Sequence, residues 1–239
     1  VLKPILGRPM LARQIERIRR SKKVDRLVLA TSTDAADDAL AQLAREVDVP
    51  LFRGSLNDVL DRFYQAARAQ APRHVVRLTG DCPLIDPDVI DEVIEFYLAG
   101  GFDYGCNCIY PTYPDGLDVE VFSMAVLEAA WREADLQSQR EHVTLFINRQ
   151  PERFKVGHFK GPVDNSGLRW TVDDPRDFEL VTRVYEALYP ANPQFTTADV
   201  LRLLAENPSW SRLNASTERN EGLTTSLNSD RKVEERPSM

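Results

Sequence analysis

Two periods of apolar residues alternate through the first half of this chain. Met10, Leu11, Ile15 and Ile18 recur at helical spacing with Gln14 on the same face, and Pro9 stands near the start, which predicts a helix over 9–20. A short apolar run predicts a strand over 24–30, ending in Thr31-Ser32-Thr33-Asp34. An alanine-rich helix over 35–47, a strand beginning at Leu51-Phe52, a helix over 57–70, a strand over 74–78 and a helix over 88–98 follow. This alternation predicts right-handed βαβ units and a largely parallel, twisted sheet covered by helices on both faces.

The pattern changes after Gly100-Gly101. Residues 102–110 read as a strand, 111–116 as a turn-rich loop and 117–122 as another strand. Ser123 caps a helix that runs to Glu133, residues 141–148 are helical, 154–159 and 168–172 are expected to pair as strands, and 175–189 and 197–206 are closing helices. This half is expected to continue the sheet and build a small accessory lobe. From Asn214 onward the chain is polar and charged, so the division is a 1–213 α/β domain followed by a 214–239 tail expected to be disordered. No internal repeat is visible.

With 239 residues, 43% of them hydrophobic, the chain can build one substantial core or a core plus a small lobe. A formal net charge of -7 argues against a sequence-independent nucleic-acid binder, which needs a basic face. No run approaches the roughly 18 apolar residues of a membrane span. Three cysteines cannot close a disulfide framework, and Cys106-Asn107-Cys108 lacks partners for a zinc site, so reduced thiols in cytoplasm are expected.

Within this frame, one segment carries unexplained chemistry. Strand 74–78 is broken by Gly80, and Asp86-Pro87 then opens a helix with Asp86 as N-cap and Pro87 at the first helical position. Asp86 thus has a structural task and Asp81 has none. Asp81 sits just past the carboxyl end of a strand, where open α/β sheets bind ligands, and a carboxylate there suits a hard cation such as Mg²⁺. The layout recurs downstream: a strand-like 168–172, then Asp173, then Asp174-Pro175 as cap and proline, with Asp177 in the first turn. Asp173 is again left over. Either aspartate alone reads more readily as a turn ligand; the pair reads as two ligands of one metal.

Other positions carry two readings each. Arg53-Gly54-Ser55 ends a strand, either as an ordinary turn or as a contact to base or ribose. Asp58 can cap the next helix and pair with Arg62 one turn on. Arg77 and Thr79 flank Asp81, although strand alternation can turn Arg77 away. Asp118 and Glu120 lie two apart on one strand face, as a solvated edge or as a polar pocket for sugar hydroxyls, and Gly116 before them permits close approach. Arg140 and His142 open a helix. A lone histidine is more often structural than a general base, so no acid/base role is given to it, and either residue could meet an anionic acceptor. No nucleophile elbow is present.

An ordered set of segments carries a family resemblance: Leu2-Lys3-Pro4-Ile5-Leu6-Gly7-Arg8-Pro9-Met10-Leu11, Phe52-Arg53-Gly54-Ser55, Asp58-Val59-Leu60-Asp61-Arg62-Phe63, the run from Arg77 to Pro87, Tyr113-Pro114-Asp115-Gly116-Leu117-Asp118-Val119-Glu120-Val121, Arg140-Glu141-His142-Val143-Thr144 and Thr171-Val172-Asp173-Asp174-Pro175. The set resembles the cytidylyltransferases of the acylneuraminate and 3-deoxy-manno-octulosonate type, above all the branch named for spore coat polysaccharide biosynthesis; Asn220-Glu221-Gly222 resembles a C-terminal element of that family.

The resemblance implies a three-layer Rossmann-like nucleotidyltransferase sandwich and transfer of CMP from CTP to a sugar or sugar acid, with pyrophosphate released. It further implies Mg²⁺ or Mn²⁺ on the catalytic pair Asp81 and Asp173. The nucleotide would lie near Arg53, Gly54, Ser55, Asp58, Arg77 and Thr79, and the acceptor near Asp118, Glu120, Arg140 and His142. A homodimer without nucleic-acid or membrane partners is expected. The family's phosphate loop would precede Leu2-Lys3-Pro4-Ile5 and is not in this sequence, so these 239 residues alone are expected to bind CTP weakly and show no transfer. Two other readings remain: a metal-dependent glycosyltransferase, disfavoured because Cys82-Pro83 follows Asp81 where Asp-x-Asp is typical, and a non-catalytic scaffold or interaction module.

Overall fold

A computed structural model describes residues 1–215, 217, 219 and 221–233. The chain opens with a two-residue-strand hairpin, β1 (Pro4–Ile5) and β2 (Arg8–Pro9), turned by Leu6 and Gly7 at positive φ. Helix α1 (Met10–Ile18) follows, then β3 (Leu29–Ser32), a 3₁₀ turn, α2 (Asp38–Glu46), β4 (Leu51–Gly54), α3 (Val59–Arg68), β5 (His74–Arg77) and α4 (Pro87–Gly100). The second half holds β6 (Tyr104–Cys106), β7 (Glu120–Ser123), α5 (Met124–Glu133), α6 (Gln137–Glu141), α7 (Leu145–Asn148), β8 (Val156–His158), α8 (Pro175–Leu188), α9 (Thr197–Glu206), α10 (Pro208–Ser211) and α11 (Glu221–Asn228).

Three layers result. On β7, Phe122 turns toward α3 and α5, packing with Leu60, Tyr64 and Leu127, while Val121 turns the other way onto Val93 and Ile94 of α4. A further apolar cluster seats α8 and α9 against Met10, Leu84, Leu117 and Trp170. The expected α/β sandwich is therefore present, but its strands are not mostly parallel. β3 and β4 pair in parallel, whereas β5-β7-β6-β8 form a mixed sheet in which β7 runs antiparallel to both neighbours. The reason is local. The β6–β7 connection carries no crossover helix, and a looped return reverses strand direction.

A pocket of about 560 Å³, open on one side, lies between these two sheets. Val28 and Ala30 line one side, Val75 and Val76 the other, and Ile18, Ala66 and Ile94 from three helices also contribute. None of the candidate site residues lines it. The predicted strand over 24–30 shifts to Leu29–Ser32 because Val24, Leu27 and Val28 face this space without a ladder partner. Residues 168–172 form no named strand either: Trp170 donates to the Asp115 carbonyl at 2.6 Å and Val172 to the Asp81 carbonyl at 2.9 Å, so the segment ties two loops together. β8 pairs instead with β6.

The polar stretch after Leu213 has structure over its described residues. Asn214 is buried, the Gln137 N–H donates to the Arg231 carbonyl at 2.8 Å, the Val233 N–H to the Asp135 carbonyl at 2.8 Å, and Asp230 accepts from Ser138. Asn220 and 234–239 lie outside the described residues. No helix among the described residues is long and apolar enough to cross a membrane.

Candidate functional site

Both predicted caps form. The Asp86 carboxylate accepts from the Asp88 N–H at 3.0 Å and, through its other oxygen, from the Thr197 N–H and hydroxyl at 2.6 and 2.7 Å, so it caps α4 and ties it to α9. Asp174 accepts from the Arg176 and Asp177 N–H groups at 2.7 and 3.0 Å, completing a capping box with Asp177.

The two remaining aspartates stand on adjoining backbone, since the Val172 N–H donates to the Asp81 carbonyl and Thr171 Oγ1 approaches the same oxygen at 3.4 Å. Asp81 Oδ1 accepts from the Thr79 hydroxyl at 2.5 Å and from the Cys82 thiol at 3.2 Å. Burial, with the Asp81 charge beside it, pushes the Cys82 thiol well above its usual range and keeps it protonated. Asp173 Oδ2 pairs with Arg169, and its side chain is 59% exposed.

Two residues given no role from sequence organise this region. Arg169 donates to Asp115 Oδ2 at 2.9 Å, to Asp177 at 3.0 and 3.1 Å, and to Asp173. Burial alone would favour losing its proton; the bonds it donates to Asp177 and Asp173 outweigh that and hold it firmly charged. Asp115 is raised by its own burial, opposed by Arg219 and Arg169, with Asp173 and Asp81 adding repulsion. Asp118 is pushed up to about 7, first by burial, against the pull of Arg219, with Asp115, Glu120 and Asp81 reinforcing the rise. Asp115 thus feels both Asp81 and Asp173, and Asp118 feels Asp115 and Asp81. Gly116, at φ 105°, lets their loops meet: a Cβ there would lie 2.5 Å from the Thr171 nitrogen and 2.7 Å from the Trp170 carbonyl carbon.

Several expected ligands are engaged inside the protein. Glu120 is buried, taking hydrogen bonds from Tyr104 and Thr144 at 2.7 and 2.5 Å and pairing with Arg77; burial raises its pKa, but Arg77 and the two hydroxyls lower it overall. Glu120 is therefore held inside the protein by Arg77, while Asp118, two residues before it, pairs with Arg219 instead. Arg140, 3% exposed, clasps Asp58 with bonds of 2.6 to 3.0 Å and the Trp131 carbonyl at 2.7 Å. That removes it from an anionic acceptor and commits Asp58, which also caps α3. Arg62 bonds the Ser55 carbonyl at 2.7 Å, and Arg53 clamps Ser32, Asp34 and Asp38. His142 Nε2 lies 3.0 Å from Ser226 of α11, and burial lowers its pKa. Gly54 and Ser55 sit at the end of β4, where Ser55 Oγ accepts from the Asp58 N–H at 3.0 Å.

Among the described residues, no group of three or more His, Cys, Asp or Glu side chains is arranged to hold a metal ion. Asp81 and Asp173 supply hard carboxylate oxygens, and Mg²⁺ is commonly held by one or two carboxylates with substrate phosphates and water completing its shell.

The comparisons with known proteins accord with this geometry. The cytidylyltransferase family model matches residues 1–203. An uncharacterised protein of Methanocaldococcus jannaschii is 36% identical over 90% of this chain and 87% of its own length. The spore coat polysaccharide biosynthesis protein SpsF of Bacillus subtilis is 33% identical over 92% of this chain and 90% of its own. A solved cytidylyltransferase from Leptospira borgpetersenii superposes with a TM-score of 0.84 at 28% identity, covering 92% of this chain and 91% of that one. The chain belongs to the cytidylyltransferase family.

Proposed function

We propose that the cleft bounded by Asp81, Asp118 and Asp173 transfers CMP from CTP to a hydroxyl of a sugar or sugar acid, in the building of a surface polysaccharide. The observation that carries this reading is the junction of the two leftover aspartates: the Val172 N–H on the Asp81 carbonyl sets both carboxylate-bearing turns side by side. The acceptor oxygen attacks the α-phosphorus in line as its proton passes to solvent, the bond to the bridging oxygen breaks, and pyrophosphate leaves. Asp81 and Asp173 would hold Mg²⁺ or Mn²⁺, which when bound offsets charge on the phosphates.

The remaining work is positioning. Thr79 fixes Asp81 through its hydroxyl. Arg169 orients Asp173 and, through Asp115, the loop bearing Asp118. Asp118 accepts from an acceptor hydroxyl, and with Glu120 and Arg140 engaged elsewhere it is the acceptor contact left from the expected set, beside His142. On the nucleotide side, Thr79 and the backbone of 53–55 are the available contacts. A cytoplasmic homodimer remains part of this reading. Pyrophosphate release by the full-length protein, each nucleoside triphosphate tested against a panel of sugar acids with Mg²⁺, is the test. Release with CTP alone supports the proposal; release with another nucleotide and not CTP, or none, overturns it.

A further inference from the structure

Asp118 has one described partner, and that partner comes from the far end of the chain. Arg219 Nη2 donates to Asp118 Oδ1, its Nη1 reaches the Tyr113 carbonyl at 3.3 Å, and its Nε stands 3.7 Å from Asp115 Oδ1. The side chain is 16% exposed, yet Nε has no hydrogen-bond partner among the described residues. All three contacts fall on one loop, 113–118, whose approach to 170–171 depends on Gly116.

We propose that Arg219 positions Asp118 for the acceptor, making the C-terminal segment a working part of the acceptor pocket. This rests on the transferase reading above. The charges form an alternating series: Asp118, Arg219, Asp115, Arg169, Asp173. One end is the acceptor contact and the other a metal-side carboxylate, so the tail guanidinium closes a run of ion pairs spanning both halves of the site. Without it, Asp118 would lose its one described partner while Asp115 kept Arg169, and a protonated or averted Asp118 would accept less strongly from a sugar hydroxyl.

The tail is also anchored on both sides of Arg219. Asn214 Nδ2 donates to Asp177 Oδ1 at 2.7 Å and to the Arg169 carbonyl at 3.0 Å. Beyond Arg219, α11 places Ser226 against His142. Arg219 is therefore delivered to the cleft by contacts that do not depend on its own charge, which is what a positioning residue requires and a loose surface ion pair lacks.

The test uses full-length wild type, R219A and R219K, with the best acceptor from the sugar-acid panel. R219A should raise KM for the acceptor about tenfold, the scale of one charge-assisted contact, with KM for CTP and the thermal midpoint little changed. R219K should recover part of the loss. Equal rises in both KM values, or an unchanged acceptor KM, would overturn the proposal. If wild type is inert with every acceptor, the transferase reading fails, and amide exchange then decides Arg219 separately. Faster exchange over 113–118 in R219A, reversed in R219K, retains its positioning role; exchange identical to wild type removes it.

Discussion

Asp81-…-Asp86-Pro87 and Asp173-Asp174-Pro175 are alike in sequence and unlike in surroundings. In the first, the leftover aspartate is steadied by neutral donors, the Thr79 hydroxyl and Cys82 thiol, and the cap Asp86 is 3% exposed and doubly used. In the second, the leftover aspartate is 59% exposed and held by a guanidinium, while the cap serves only its own helix and the nearby Arg176. The same local grammar thus yields one aspartate set by hydroxyl geometry and one set by charge. The difference lies in Arg169, which answers three carboxylates at once.

The widest break in the comparison comes from that arginine. R169Q leaves the fully buried Asp177 without its ion pair, and denaturant unfolding should show a loss of about 3–5 kcal/mol. T79V, the counterpart at Asp81, removes one hydroxyl bond and should cost only about 1 kcal/mol. The caps should differ less. D86A loses an N-cap and two bonds from Thr197, for about 2–3 kcal/mol, against about 1 kcal/mol for D174A. Equal losses in the two cap variants would show that the α4–α9 tie contributes nothing.

The smallest effect is a pH slope. The folded-state pKa of Asp118, about 7, lies above the roughly 3.9 of an unfolded aspartate. Between those values the folded chain keeps a proton that the unfolded chain has released. The stabilisation is therefore fully present below about pH 4 and is lost as pH rises through about 7. With Asp118 29% exposed the slope is gentle; D118N should flatten it, and R219A should carry it to higher pH because Arg219 opposes the rise. Unfolding curves across that range decide this.

What was legible in the sequence follows from how local each cause is. Asp86, Asp174 and Ser123 were readable as caps because an N-cap is decided within three residues. The α/β sandwich was readable from periodicity, but the strand direction was not drawn from it: β7 reverses because the turn-rich connection from β6 carries no crossover helix. Asp118 and Glu120 shared a face on paper, yet Arg77, Tyr104 and Thr144 converge on Glu120 from distant positions. Arg140 looked available until Asp58, far upstream, was found in its grip. Arg169 and Arg219 carried no signal except their neighbours, a strand-like run before Asp173 and the segment before Asn220-Glu221-Gly222.

The central claim is that Asp81 and Asp173 serve chemistry while Asp86 and Asp174 serve folding. The direct measurement is Mg²⁺-dependent pyrophosphate release from CTP by full-length D81N, D173N and D174A, with thermal melts on the same samples. D81N and D173N should melt as wild type and lose at least about 10²-fold in kcat, the scale of removing charge stabilisation at a reacting phosphate, while D174A keeps its turnover at a lowered midpoint. Near-normal turnover in D81N and D173N, with D174A inactive at unchanged stability, would contradict the account.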